Sequence, residues 1–147
     1  MTRPSWDSYF CQLAKLAATR ATCQRRQVGC VLVQNRRVIA TGYNGSLPGD
    51  AHCTDAGCFM IDGHCVRTNH AEINALTDAA RRGVTVAGAT AYVTLQPCWH
   101  CLRALIAAGV VCVYYTEKYP VDNELYARHH NGRVTSIVKY LDPQVAL

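Results

Sequence analysis

Two short motifs constrain this chain more than any other feature of its sequence. His70-Ala71-Glu72 is followed about two dozen residues later by Pro97-Cys98-Trp99-His100-Cys101. A helical pattern of apolar residues begins at each motif, so both motifs are predicted to lie at helix starts. Cys98 and Cys101 are three residues apart and share one face of such a helix. A fold that joins the two helix starts would therefore offer one imidazole and two thiolates to a common metal ion.

The first half of the chain predicts a helix, a hairpin and a long irregular loop. Ser5 suits the N-cap of the helix, because apolar residues recur after it at helical spacing. Two runs rich in β-branched residues, Gln27–Gln34 and Arg37–Tyr43, are separated by the polar turn Asn35-Arg36 and predict a hairpin. From Asn44 to Thr68 no period persists, so we expect an irregular loop that needs a staple.

The second half alternates strands and helices. Asn69 suits the N-cap of a helix that runs to about Arg82, because Glu72 three residues on completes a capping box. Pro97 suits the first turn of a later helix, which Gly109 ends. The strand, helix, strand order requires a right-handed crossover with parallel pairing, so the predicted fold is a three-layer α/β/α domain with a central mixed sheet. The other predicted segments are strand Ala89–Leu95, helix Cys98–Ala108, strand Val110–Tyr115, a short helix after Tyr119-Pro120 and a strand near Arg133–Tyr140.

Length and composition restrict the class of protein. A chain of 147 residues has the usual size of one domain, so residues 1–147 are expected to form a single domain. The formal net charge of +5 favours anionic partners such as nucleotides, whereas the scattered basic pairs do not form the dense run that a nucleic-acid arm needs. The sequence shows no signal peptide and no long uncharged segment, so a cytoplasmic location without a membrane partner is expected. In that compartment the nine cysteines favour metal ligands and buried thiols over disulfides.

The donor set at the two motifs is typical of a catalytic zinc site. His70, Cys98 and Cys101 are three protein ligands, and they leave the fourth tetrahedral position of zinc open to water. Zinc lowers the pKa of such a water towards neutrality, so that it can attack an aromatic amidine carbon. Glu72 need not bind the metal and can carry protons from the water to the ring nitrogen and to departing ammonia. His100 is a rival ligand, but two residues from Cys98 it would point off the shared helix face.

The combination of His-X-Glu with Pro-Cys-X-X-Cys is the signature of zinc-dependent deaminases of nucleobases. Further segments carry a likeness to one family: Ser5-Trp6, Tyr9-Phe10, Thr22–Gly29, Gly42–Gly45, His52-Cys53, Gly57-Cys58, Asp62–Thr68 and Tyr92–Leu95. On these residues the chain resembles the deoxycytidylate (dCMP) deaminases, including the bacterial late-competence type, of the zinc-dependent cytidine and deoxycytidylate deaminase family. The likeness extends over nearly all of the chain up to about Tyr119.

The resemblance implies a cytidine deaminase-like fold and the hydrolysis of dCMP to dUMP and ammonia. It places His70, Cys98 and Cys101 on the catalytic zinc and Glu72 in the role of proton shuttle. It also implies a homo-oligomer, usually a hexamer, that dCTP activates and dTTP inhibits, with Mg²⁺ expected to accompany these nucleotides. The effector-binding loop of the family is similar to Gly42-Tyr43-Asn44-Gly45 here, although the same residues would equally suit a strand end and a turn.

Four more cysteines form a second possible metal set, because related enzymes carry a structural zinc in the corresponding region. A closed site of four thiolates would staple the loop from Asn44 to Thr68 to the end of the first helix, and His52 or His64 could replace one thiolate. Cys11, Cys30 and Cys112 fit helix or strand patterns and are expected to be small buried thiols. The four cysteines of the second set are Cys23, Cys53, Cys58 and Cys65.

Candidate substrate contacts are weaker than the metal motifs, because each one suits a surface or packing role equally well. Asn44 could bind the sugar, Tyr119 could stack on the pyrimidine or ribose, and Arg26 or its neighbour Arg25 could pair with a 5′-phosphate. Ala71, inside the first motif, is the fourth predicted substrate-binding residue.

Three functions compete at this point. The first is a nucleotide deaminase that acts on dCMP or on another cytosine nucleotide such as dCTP. The second is a deaminase of a base in tRNA or single-stranded nucleic acid, for which a basic stripe and aromatic platforms would be expected. The third is a zinc module without catalysis, for which a closed site would suffice and Glu72 would have no role.

Overall fold

The computed structural model describes residues 2–120, 126, 128 and 133–144. The longest of its helices has 13 residues, and none of the helices in this part of the chain is long and apolar enough to cross a membrane. The helices and strands follow in the order α1 (Trp6–Ala18), β1 (Gly29–Gln34), β2 (Arg37–Tyr43), β3 (Gly45–Ser46), α2 (Cys53–Ala56), β4 (Met60–Ile61), β5 (His64–Cys65), β6 (Thr68–Asn69), α3 (Ala71–Arg81), β7 (Thr90–Leu95), α4 (Trp99–Ala107), β8 (Cys112–Glu117), α5 (Arg133–Ile137) and β9 (Val138–Tyr140).

Five strands form the central sheet, in the order β2-β1-β7-β8-β9. Strand β1 pairs antiparallel with both β2 and β7, whereas β7 with β8 and β8 with β9 are parallel. The connection from β7 through α4 to β8 therefore has the parallel pairing expected from the order of the elements. The prediction of a mixed sheet is confirmed.

Side chains on the two faces of the sheet pack into two separate hydrophobic cores, because successive residues of a strand point to opposite faces. The residues that face α3 and α4 are Cys30, Leu32, Ala91 and Val93, and those that face α1 are Val31, Val33 and Tyr92. Helices thus cover both faces of the sheet, and the predicted three-layer α/β/α architecture is confirmed.

The helix caps were predicted correctly at α1 and one residue too early at the two later helices. The Ser5 hydroxyl accepts a backbone N–H of the first turn of α1 at 3.1 Å. Asn69 pairs in strand β6, so His70 is the N-cap of α3. Cys98 is the N-cap of α4, and Pro97 therefore precedes the helix instead of lying in its first turn. Neither of these two caps makes a side-chain hydrogen bond to its helix.

Local backbone geometry explains two other boundaries, the turn between β1 and β2 and the start of β8. The hairpin turn Asn35-Arg36 has φ of 51° and 59°, the left-handed values that a two-residue hairpin of this kind requires, and the hairpin is confirmed. Strand β8 begins two residues later than predicted, because the Val110 N–H still bonds to the Leu105 carbonyl at 3.0 Å and closes α4 in a Schellman motif at Gly109.

The chain after β8 departs from the prediction in part. The segment near Arg133–Tyr140 was expected to be a strand, but only its last three residues pair with β8, and the first five form α5 with Val134 buried in the core. Most of the short helix predicted after Tyr119-Pro120 lies outside the described residues, and residues 126 and 128 are helical.

The stretch from Asn44 to Thr68 is built from very short pieces. It contains the two-residue strands β3, β4 and β5 and the single turn α2, and β4 pairs only with β5. Strand β3 pairs with β6, which closes the stretch just before α3. Few backbone hydrogen bonds hold this segment. It therefore needs a further cross-link between its parts, as the sequence indicated.

Helix α3 lies close against β2, an edge strand of the sheet. Every fourth residue on its inner face is a buried alanine, namely Ala71, Ala75 and Ala79. Polar side chains of α3 satisfy the outward backbone groups of β2: Asn74 Nδ2 donates to the Tyr43 carbonyl at 2.8 Å, Asp78 accepts the Thr41 N–H at 3.4 Å, and Arg82 donates to the Ile39 carbonyl at 2.6 Å. The His70-Ala71-Glu72 motif at the start of α3 is thereby fixed to the sheet.

Gly42 permits this close approach, and its replacement is expected to be costly. A Cβ at Gly42 would lie 2.2 Å from the Ala71 carbonyl oxygen and 2.4 Å from the Ala75 nitrogen, both backbone atoms. We expect Gly42→Ala to lower the free energy of unfolding by about 1–3 kcal/mol, because the helix must move away from the sheet. Gly45→Ala is the control, since its nearest neighbour is the movable ring of Tyr43 at 3.0 Å. Denaturant unfolding of both variants checks this, and a wild-type midpoint for Gly42→Ala would contradict it.

Candidate active site

The starts of α3 and α4 bring together the three residues predicted to bind the catalytic metal. His70 Nδ1 lies 3.6 Å from the Cys98 sulfur and 3.3 Å from the Cys101 sulfur, and the three ligand atoms lie within 4.8 Å of one another. Tetrahedral zinc, with Zn–N of about 2.0–2.1 Å and Zn–S of about 2.3 Å, separates a ligand nitrogen from a ligand sulfur by about 3.6 Å. The spacing and the chemistry of these donors fit a zinc ion.

The position of these ligands at helix starts explains their unsatisfied caps. His70 and Cys98 have the extended backbone of N-cap residues, with ψ of 156° and 163°, and their side chains turn towards each other instead of back to their helices. Two helix N-termini therefore face the same point, and their partial positive charges favour thiolates there. Cys101 is buried whereas His70 is exposed, so the three-ligand site is open on one side.

The hydrogen bonds among these groups already stabilise one thiolate. The Cys101 thiol and the His70 ring lower the pKa of Cys98 to about 4. The pKa of Cys101 is raised, chiefly because its thiol donates to Cys98. The pKa of His70 is raised as well, mainly by its hydrogen bond to Cys98. An ion bound here would replace the shared proton as the positive partner of both sulfurs.

Glu72 is the second residue of α3 and lies beside the metal ligands. Its side chain is 4% exposed, and burial raises its pKa to about 7, although its own backbone N–H and the charge of His70 oppose the rise. A carboxyl group that titrates near neutrality can both accept and donate a proton, as a proton shuttle requires. The position of Glu72 and its raised pKa are therefore compatible with the proton-shuttle role, which stays a prediction.

A cavity of about 230 Å³ opens above the metal ligands. Its lining includes the predicted metal ligands His70 and Cys98 and also Glu72. All four residues predicted to contact substrate also line this cavity, namely Asn44, Arg26, Ala71 and Tyr119. The structure therefore brings the predicted metal, proton-transfer and substrate residues to one place.

Arg26 and Tyr119 form a pair across the cavity wall. The Arg26 guanidinium lies 4.7 Å from the centre of the Tyr119 ring, an arrangement in which a cation is attracted to the face of the ring. Arg26 Nη1 also lies 3.8 Å from a carboxylate oxygen of Glu117, but both side chains are at least half exposed, so this ion pair contributes little. The guanidinium retains donors for an anion that enters the cavity.

Asn44 has a structural role that the sequence did not reveal. Its side-chain oxygen accepts the Val28 N–H at 2.8 Å, and its side-chain nitrogen donates to the Arg26 carbonyl at 2.8 Å. The buried amide thus fixes the backbone on both sides of Gln27 and places Arg26 at the cavity. Its role as a sugar ligand stays a prediction, for which one N–H of the amide remains available.

The four cysteines of the second set also converge. The sulfurs of Cys23 and Cys58 and those of Cys53 and Cys65 are each 3.6 Å apart, and all four lie within 4.8 Å of one another. Two sulfurs on one tetrahedral zinc are about 3.8 Å apart, so the set fits a closed four-thiolate site. The convergence joins the end of α1 to the segment of short strands. Two of these cysteines, Cys23 and Cys65, line the cavity as well.

The histidines proposed as alternative ligands lie elsewhere. In the described part of the chain the second cluster consists of thiols alone. His52 Nδ1 lies 4.0 Å from the Asp55 carboxylate, and His64 lines the cavity. His100 lies outside the cluster of His70, Cys98 and Cys101, as its spacing predicted, and its Nδ1 contacts the Arg103 guanidinium at 2.9 Å.

Most of the segment predicted to bind effectors, Gly42-Tyr43-Asn44-Gly45, lies outside the cavity that the predicted substrate residues line. Of its four residues only Asn44 lines the cavity. Gly42 packs against α3, and the Tyr43 carbonyl accepts Asn74. Gly42 and the Tyr43 backbone therefore have structural roles in holding α3 against β2. An effector role for the segment stays a prediction.

The sequence placed Gln96 at the border of the predicted pocket and made His64 an alternative metal ligand, but it predicted no role in substrate binding for either residue. Gln96 and His64 both line the cavity, and Gln96 accepts the Tyr119 N–H through its side-chain oxygen at 3.2 Å. Only sequence position could have indicated that these residues lie at the cavity, because Gln96 directly precedes the Pro97-Cys98 pair and His64 directly precedes Cys65. An isolated Gln or His carries no pattern that distinguishes a cavity residue from a surface residue.

Comparison with known proteins agrees with this site. Residues 4–117 match the family model described as the cytidine and deoxycytidylate deaminase zinc-binding region. The chain is 48% identical over 129 residues to ComE operon protein 2 of Bacillus subtilis (strain 168), a match that covers 86% of this chain and 68% of that protein. It is 42% identical over 141 residues to deoxycytidylate deaminase of Saccharomyces cerevisiae, which covers 92% of this chain and 45% of that enzyme. The chain thus spans less than half the length of the yeast relative.

A solved structure gives the same picture of the fold. The crystal structure of dCMP deaminase from the cyanophage S-TIM5 in complex with dCMP and dUMP superposes with a TM-score of 0.75 at 27% sequence identity. The superposition covers 96% of this chain and 100% of the cyanophage chain. The three-layer fold and the mixed sheet are therefore those of a known nucleotide-processing architecture.

Proposed function

This chain belongs to the zinc-binding cytidine and deoxycytidylate deaminases, and we propose that it hydrolyses dCMP to dUMP and ammonia. The observation that carries the proposal is the position of Glu72: a buried carboxyl lies beside His70, Cys98 and Cys101 in a cavity that Arg26 also lines. A zinc module without catalysis would need neither the buried acid nor the cavity.

The residues of the chain have distinct tasks in this reaction. His70, Cys98 and Cys101 would hold zinc, which when bound supplies Lewis-acid activation of a water molecule. Glu72 would take a proton from the attacking water as the water oxygen adds to C4 of the cytosine ring, and would deliver this proton to N3. Glu72 then passes the second water proton to the amino group, which leaves as ammonia while the C4 oxygen becomes the carbonyl of uracil. Water and dCMP are thereby converted into dUMP and ammonia without any other reactant.

The cavity favours a nucleotide over a nucleoside. Two arginines and two histidines line it, one of the histidines being the predicted metal ligand His70, whereas Glu72 is its sole acidic lining residue in the described part of the chain. The Glu72 carboxyl lies next to the metal ligands, so Arg26 would be free to form a charge-assisted hydrogen bond with a 5′-phosphate. Asn44 would bind the sugar, Ala71 would border the ring, and Tyr119 would stack on the pyrimidine or ribose.

Two alternatives concern the substrate and not the reaction. Another cytosine nucleotide such as dCTP carries the same ring and sugar and differs in the charge that Arg26 would meet. A base in nucleic acid would need further basic and aromatic contacts for flanking nucleotides. The described lining offers a single aromatic ring, that of Tyr119, which favours a free nucleotide.

Regulation and assembly are part of the proposal. We expect activation by dCTP and inhibition by dTTP through the Gly42-Tyr43-Asn44-Gly45 segment, with Mg²⁺ bound to these triphosphates, in a homo-oligomer that is a hexamer. Two zinc ions per chain are expected, one at each cluster. Residues 1–147 are proposed to act as one domain in the cytoplasm.

The proposal is tested by measuring ammonia release from dCMP, dCTP, deoxycytidine and a cytosine-containing single-stranded oligonucleotide. We expect kcat/KM for dCMP to exceed that for deoxycytidine at least about tenfold, because a charge-assisted contact to phosphate is lost in the nucleoside. The same assay with dCTP or dTTP added tests the effectors. Equal rates on dCMP and deoxycytidine, or turnover of the oligonucleotide alone, would overturn the nucleotide assignment.

A further inference from the structure

We propose that Gln96 is a positioning residue that holds Tyr119 and, through the Tyr119 ring, the guanidinium of Arg26 at the cavity, and so sets the preference for a phosphorylated substrate. The inference rests on the proposed function and assigns a role to a residue that the zinc motif does not include. Gln96 lies between the end of β7 and the ligand Cys98 and lines the cavity.

The geometry at Gln96 joins two parallel strands where they end. Its backbone N–H donates to the Glu117 carbonyl at 2.8 Å, and its side-chain oxygen accepts the Tyr119 N–H at 3.2 Å. Leu95 and Glu117 are register partners of β7 and β8, so these two bonds continue the pairing for one step beyond the sheet. The carboxyl ends of parallel strands are the usual place for ligands in such sheets.

Tyr119 needs this bond because β8 ends two residues earlier. The strand stops at Glu117, and the Tyr119 N–H has no strand partner, so the Gln96 side chain provides its acceptor. Tyr119 in turn holds Arg26, whose guanidinium stacks on its ring at 4.7 Å. A long and half-exposed arginine has many rotamers, and a ring fixed beneath it reduces the entropy lost when an anion binds.

The Tyr119 ring that Gln96 holds also competes with an acid for Arg26. Glu117 lies 3.8 Å from Arg26 and could pair with it more closely if Tyr119 moved away. Such pairing would remove the guanidinium from the cavity. The Gln96 contact to Tyr119 therefore keeps the Arg26 guanidinium over the ring and available to a phosphate.

The test is Gln96→Leu, which keeps the approximate volume and removes the acceptor. We expect KM for dCMP to rise about tenfold with kcat within about threefold of wild type, because the interaction is lost equally in ground and transition states. The ratio of kcat/KM for dCMP to that for deoxycytidine should fall about as much. Gln34→Leu is the matched control, since Gln34 also makes one side-chain bond to a backbone group, the Ala87 carbonyl at 2.6 Å, but far from the cavity.

A double-mutant cycle shows whether Gln96 acts through Arg26. In an Arg26→Ala background Gln96→Leu should change KM for dCMP less than about twofold, because the positioned group is gone. Binding of dUMP by titration calorimetry gives a readout that does not depend on turnover, and Gln96→Leu should weaken it about tenfold. If wild type binds dUMP without deaminating dCMP, the proposed function fails and the Gln96 inference is judged on affinity. A folded Gln96→Leu protein with wild-type KM and dUMP affinity, or an undiminished effect in the Arg26→Ala background, would overturn the inference.

Discussion

Glu72→Gln is expected to lower kcat by about 10³-fold or more while the zinc content stays unchanged. The amide has nearly the shape of the carboxyl but cannot take a proton from water or pass one to the leaving group. Zinc is retained because Glu72 is not among the three converging ligands. The fold should also be retained, because a buried carboxyl whose pKa is raised to about 7 by burial is replaced by a neutral group that carries no such cost.

Kinetic assays of ammonia release together with metal analysis check this expectation. Asp55→Asn is a suitable control, since it removes one carboxylate of the exposed α2 turn far from the proton path. Loss of zinc together with activity would show that Glu72 acts on metal binding. Retention of more than about a tenth of wild-type kcat would remove Glu72 from the proton-transfer role.

Cys58→Ser is expected to remove one zinc ion per chain and to destabilise the fold strongly. A serine hydroxyl replaces the thiolate nearest to Cys23, and three remaining thiolates hold the ion less well. We expect the free energy of unfolding to fall by at least about 3 kcal/mol, since the segment from Asn44 to Thr68 is held by very few backbone hydrogen bonds. Because Cys23 and Cys65 line the cavity, KM for dCMP should rise as well.

Thermal unfolding, zinc stoichiometry and kinetics on one preparation separate these effects. Cys112→Ser is the matched control, because Cys112 is a partly buried thiol outside both clusters. We expect this variant to keep the zinc content and the melting temperature of wild type to within a few degrees. Equal metal content in wild type and Cys58→Ser would show that the four thiols bind no ion.

Much of the fold could be predicted because its strongest signals are local. Two runs rich in β-branched residues and the turn Asn35-Arg36 were sufficient to predict the hairpin, and the order of strands and helices was sufficient to predict the parallel pairing of β7 and β8. The helix caps at His70 and Cys98 were missed by one residue, since capping rules reward side chains that bond to their own helix. These two side chains instead point to a shared candidate metal site. Local capping rules take no account of such tertiary contacts.

The residues of the candidate site also differ in whether local sequence patterns or tertiary contacts determine them. His70, Glu72, Cys98 and Cys101 were predictable because residue type, spacing and helix starts agree on one chemistry. The link from Gln96 to Tyr119 was not, because it depends on β7 and β8 being neighbours and on β8 ending at Glu117. The role of Asn44 in fixing the loop before β1 was missed for a similar reason, since its partners Arg26 and Val28 become adjacent only in the folded chain.

The polar stripe of α3 along β2 limits how copies of this chain can assemble. Exposed strand edges are templates on which another chain can add a strand. Here Asn74, Asp78 and Arg82 bond to the Tyr43 carbonyl, the Thr41 N–H and the Ile39 carbonyl, so one backbone group of each of these three residues is already occupied. A neighbouring subunit that extended the sheet across β2 would have to displace these side chains. At this edge of the sheet we therefore expect side chains of helices and loops, and not an added strand, to make the contacts between subunits.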